Sequence, residues 1–122
     1  MKFEEFEKIV NQVLKKLPRK FTDILKKENI PVLVREKAPR VLQRECPGET
    51  VFGVFIGHSM KEKISYFFDL EPTRIELYKQ SFEEEYGKKV TPVIKEKIAE
   101  TLIHEIAHYF GFEEDEISSR GL

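Results

Sequence analysis

The sequence predicts an α+β domain in which N-terminal helices and one long C-terminal helix pack against a small sheet. Three observations lead there. Phe3, Phe6, Ile9, Val10, Val13, Leu14 and Leu17 recur at helical spacing. Short β-branched, aromatic or alternating stretches then occupy residues 30–35, 51–56 and 74–79. Finally, Thr91 and Pro92 open a periodic apolar segment that continues to Phe110 and meets Gly111. A length of 122 residues predicts one domain, residues 1–122.

Each element has a local reason. The first apolar stripe, residues 3–17, forms an amphipathic helix that needs a covered partner. Pro18 breaks it, and residues 21–27 form a second short helix. Residues 30–35 read as a strand with Pro31 confined to its start. Residues 38–46 fit a helical turn, residues 51–56 an extended segment interrupted by Gly53, and residues 64–68 a further apolar stretch. In residues 74–79, Ile75 and Leu77 alternate with Arg74, Glu76 and Tyr78, the period of a half-buried strand. Ser81 is placed as the N-cap of a short helix to Tyr86, with Glu83, Glu84 and Glu85 at its positive end and Gly87 as its stop. In the last helix Thr91 is the N-cap and Pro92 the first helical residue.

Composition narrows the function. The formal net charge is −1, so no global excess of Lys and Arg offers a phosphate-binding footprint, and nucleic acid is not the expected partner. Charged residues make up 35% of the chain, with Lys and Glu interspersed, and Trp is absent, a balance of the kind found in thermophile proteins. The lone Cys46 excludes an internal disulfide and fits a reducing compartment, where it reads as an ordinary residue beside the Pro47-Gly48 turn. Residues 1–7 carry acidic side chains and no apolar signal core, and the longest apolar run, residues 51–56, is too short to span a bilayer. A cytoplasmic protein without a membrane partner is expected.

The chemistry-bearing motif lies on the last helix. His104 and His108 are four residues apart, so their rings project from one face a turn apart. Two imidazoles so placed can chelate one tetrahedral ion. Glu105 is turned about 100° from His104, near enough to reach water beside the ion without being a ligand. This is the H-E-x-x-H arrangement, His104-Glu105-Ile106-Ala107-His108. Neutral imidazoles leave zinc positive, and positive zinc acidifies water and polarises a carbonyl, while a neighbouring carboxylate acts as general base. The five-residue pattern is short for a Glu-rich chain. Its weight comes from a capped, otherwise apolar helix and from a glycine three residues after His108.

A third ligand is expected among Glu113, Glu114, Asp115 and Glu116, because Gly111 lets the chain turn back there. Glu114 is the first choice, ten residues after His104 as in H-E-x-x-H-x-x-G-x-x-(ligand) sites; Asp115 and Glu113 follow. His58 reads as a surface-loop residue. Tyr109 and Tyr78 are weighed as hydrogen-bond donors to an oxyanion against simple packing. Thr101, one turn before His104, is a candidate support for its ring.

Residues 100–117, Glu-Thr-Leu-Ile-His-Glu-Ile-Ala-His-Tyr-Phe-Gly-Phe-Glu-Glu-Asp-Glu-Ile, resemble the zincin-like metallopeptidase family of small bacterial proteins. Val51-Phe52-Gly53-Val54-Phe55-Ile56-Gly57 resembles that family's glycine-interrupted apolar stretch, and Arg74-Ile75-Glu76-Leu77-Tyr78 its strand before the helical part. The resemblance implies a minimal zincin fold: a small mixed sheet on the metal-binding helix, with covering helices. It implies zinc held by His104 and His108 and Glu105 as catalytic base. At the third-ligand position the family usually shows Asp, where this chain has Glu114. Metzincins use a third histidine and a later methionine turn. Here Met1 and Met60 both precede the helix, so that label does not apply.

Two classes of function follow. One is a zinc-dependent peptidase acting on an extended peptide laid along a sheet edge, residues 51–56 or 74–79, with hydrolysis of a non-peptide amide or ester as a variant. The other is a non-catalytic, metal-stabilised binding module.

Overall fold

A computed structural model of the chain describes residues 1–57 and 73–110. The elements run α1 (Phe3–Lys16), α2 (Arg19–Lys27), β1 (Val32–Arg35), α3 (Arg40–Glu45), β2 (Gly53–Ile56), β3 (Arg74–Tyr78), α4 (Lys79–Tyr86) and α5 (Pro92–Phe110). The α+β class and the helix-covered sheet are as predicted. The apolar stretch 64–68 lies outside the described residues.

The strands form one mixed sheet in the order β1-β3-β2. β1 runs parallel to β3, with Val32 opposite Ile75, and β2 runs antiparallel to it, with Gly53 opposite Leu77. Ile75 and Leu77 point into the main core, where they meet Phe6, Ile9 and Val10 of α1 and Ile98, Leu102 and Ile106 of α5. α5 is long enough to bury six side chains, at Ile94, Ile98, Leu102, Ile103, Ile106 and Ala107, while Val93 stays 50% exposed. Its first turn is capped as predicted: Thr91 Oγ1 accepts the Ile94 N–H at 3.2 Å.

Two expectations are corrected. β3 is not half-buried. It is the central strand, and Glu76 and Tyr78 on its second face are as buried as Ile75 and Leu77 on the first. A carboxylate is tolerated there because it is fully partnered. Glu76 Oε2 accepts from Arg35 Nε and Arg74 Nε, both at 2.8 Å, and Oε1 accepts from the Tyr78 hydroxyl at 3.1 Å. α4 starts directly off β3 at Lys79, so Ser81 is a buried residue inside the helix and not its cap; Tyr78 occupies the cap position without a capping side chain. Gly87 does end α4, at a φ of +89° that L side chains rarely adopt. Among the described residues no helix is long and apolar enough to cross a membrane.

Candidate metal centre

β2 lies along α5, and the contact is close because a glycine permits it. A Cβ at Gly53 would stand 2.7 Å from Leu77 Cδ2, 2.8 Å from the Glu76 carbonyl oxygen and 3.2 Å from Thr101 Cγ2. Along α5, Thr101, Glu105 and Tyr109 are spaced four residues apart and share the face turned to β2. Thr101 meets Gly53. The Glu105 carboxylate receives a hydrogen bond from the Phe55 backbone N–H. The Tyr109 ring stacks on Phe55, with centroids 3.8 Å apart and planes 17° apart.

One residue back from each of the last two, His104 and His108 rotate away from β2 into solvent. Their rings lie 5.8 Å apart and only 15° from parallel. Helical spacing alone produces this pairing. Both are exposed, whereas Glu105 beside them is half-buried.

Burial pushes the Glu105 carboxyl above its ordinary value. The Phe55 N–H and the two neighbouring imidazoles pull it partly back. The result is a carboxyl group drawn toward its proton-bound form at the lip of the sheet, next to two exposed imidazole edges. The chemistry of this donor set fits a borderline-soft divalent ion such as zinc, which takes imidazole nitrogen and carboxylate oxygen.

The other predicted residues fall as follows. Glu113, Glu114, Asp115, Glu116 and His58 lie outside the described residues, and among the described residues no group of three His, Cys, Asp or Glu is placed to hold a metal. Tyr78 is not near the histidines: its hydroxyl is committed to Glu76 on the opposite face of the sheet. The Thr101 hydroxyl donates to the Lys97 carbonyl of its own helix at 2.8 Å, so it does not support His104. The Tyr109 ring packs against Phe55 and Phe110. Sequence reasoning missed Phe55, whose amide reaches Glu105 and whose ring covers Tyr109. The one available signal was Gly53 inside a strand, which marks a close approach by another element.

With this geometry in place, the comparisons give the class. The model of the zincin-like metallopeptidase family matches residues 27–122, which include the whole sheet and α5. The chain belongs to this family. A search of curated proteins finds no match. Among solved structures, a conserved hypothetical protein from Thermo thermophilus is similar at a TM-score of 0.58 and 23% identity, over 98% of this chain and 99% of that one. That likeness establishes a shared fold from α1 to the end of α5.

Proposed function

We propose that this chain is a zinc-dependent peptidase in which His104 and His108 hold the ion, Glu114 completes the protein ligands, and Glu105 moves the proton. The observation that carries this reading is the pair of near-parallel, exposed imidazoles 5.8 Å apart, flanking a half-buried carboxylate. When bound, zinc would supply Lewis-acid chemistry, polarising a carbonyl and acidifying water.

The chain's own residues supply the rest. Glu105 takes a proton from the attacking water and delivers it to the departing amine. Its half-buried position raises its affinity for a proton, and the Phe55 amide donates to the carboxylate. Phe55, Tyr109 and Phe110 pack on one another where β2 meets the end of α5.

Among the described residues β2 is the edge strand that lies beside α5, and a substrate can pair there. β3 is central and fully paired, which removes residues 74–79 as the docking edge. The Tyr78 N–H donates to the Phe52 carbonyl at 2.9 Å, so by antiparallel alternation residues 52, 54 and 56 bond inward and Gly53 and Phe55 turn their backbone groups outward. An extended peptide can pair with Gly53 and with the Phe55 carbonyl, the Phe55 amide being engaged by Glu105. A peptide paired in this way would run beside the helix that carries both histidines.

The test is hydrolysis of a mixed peptide library by the zinc-loaded protein and by Glu105→Gln. Loss of a general base predicts a fall in turnover of about 10²–10⁴-fold with zinc affinity retained. Equal turnover by the two proteins removes Glu105 from the mechanism.

A further inference from the structure

A groove of about 790 Å³ opens at the other end of the molecule, where α1, α2 and the start of β1 meet. Its floor is apolar. Leu17, Leu25 and Ile30 line it and keep 5–7% exposure, whereas Ile94, Ile98 and Leu102 of α5 have 0%. Its rim is cationic: Lys15, Arg19 and Lys26 line it from exposed positions, and no acidic residue does. From Lys15 to Lys27 the sequence holds six cations against the single anion Asp23, in a chain whose net charge is −1. Three of these six, Lys15, Arg19 and Lys26, put positive potential on the groove's rim.

A strand edge borders the same groove. β1 is the outer strand opposite β2 among the described residues. The Pro31 carbonyl accepts the Ile75 N–H at 3.0 Å, which assigns the backbone groups of residues 31, 33 and 35 to β3 and turns those of Val32 and Val34 outward. Val32 itself lines the groove.

We propose that this groove docks an extended, acidic segment of a partner protein. The segment's backbone adds to β1 through Val32 and Val34. One apolar side chain fills the floor over Leu25 and Ile30, and its carboxylates meet Lys15, Arg19 and Lys26. A concave floor beside a strand edge suits a polypeptide, whereas a lipid surface or nucleic acid would draw only on the cations. No residue of α5 or β2 lines the groove, so docking leaves the histidine face and the β2 edge open. α1 and α2 wall the groove, and Asn29, Ile30, Pro31 and Val32 complete it.

The test uses the full chain, ¹⁵N-labelled and free of zinc, with three probes: a hexapeptide alternating Glu and Val, the same peptide with Lys for Glu, and phosphatidylglycerol vesicles. The acidic peptide should bind and shift the Val32 and Val34 amide signals. The combined variant Lys15→Glu, Arg19→Glu, Lys26→Glu, with an unchanged melting temperature as the folding control, should weaken binding at least tenfold. The proposal is overturned if the acidic peptide does not bind, if the Lys peptide binds equally, if the variant binds as well as the parent, or if only the vesicles bind. Binding here needs neither zinc nor Glu105, so an inactive histidine site and an empty groove give separate results.

Discussion

Glu76 shows how much a single residue's surroundings decide. Burial alone would raise its carboxyl pKa, but hydrogen bonds from Arg74, Arg35 and Tyr78 hold it below its ordinary value of 4.5. The unfolded chain therefore takes up the proton first as pH falls. The stabilisation is fully present above about pH 4.5 and is lost as pH drops through the lower folded value. Acid unfolding followed by circular dichroism should show the parent losing stability below that pH more steeply than Glu76→Gln. At neutral pH, Glu76→Gln should be less stable by roughly 1–3 kcal/mol, because the buried network loses its negative charge and one of its two acceptor oxygens is replaced by a donor. The pairing of His104 and His108 on one exposed face, with Glu105 beside them, was legible from sequence because it is local, set by helical geometry over four residues. The role of Tyr78 was not, because its partner Glu76 is chosen by the inward alternation of a strand whose second face only the tertiary fold buries.

Helix boundaries were legible where a cap announces them. Thr91 and Pro92 mark the start of α5, and Thr91→Ala should lower stability by about 1 kcal/mol in thermal or urea unfolding. Ser81 misled for the same reason: it is a good cap residue, but α4 is launched straight from β3 and carries Ser81 into the interior. Sheet order was not legible at all, since the alternating segment 74–79 and the apolar segment 51–56 each fit an edge or a centre. β2 holds its edge beside α5 only because Gly53 has no side chain. Gly53→Ala should cost about 1–3 kcal/mol, since the new methyl meets the Glu76 carbonyl oxygen at 2.8 Å and backbone must move. It should also lower peptidase turnover in the library assay more than Thr91→Ala does, because it displaces the strand that orients Glu105.

For the molecule as a whole, the histidine site and the core share one helix. Ile98, Leu102 and Ile106 anchor α5 against the sheet, while His104 and His108 stand on its exposed side. Zinc binding to the folded helix alone should therefore raise the melting temperature, by a stabilisation of about 2.7 kcal/mol at a free concentration 100 times the dissociation constant. Addition of a chelator should reverse it, and His104→Ala with His108→Ala should abolish the response while leaving the zinc-free melting temperature nearly unchanged, as expected for exposed side chains.

The most direct measurement is anomalous diffraction at the zinc edge from crystals grown with zinc. One ion within about 2.0–2.1 Å of a nitrogen of both His104 and His108 is the predicted result. Zinc elsewhere, or rings of His104 and His108 that bind no common ion, would contradict it.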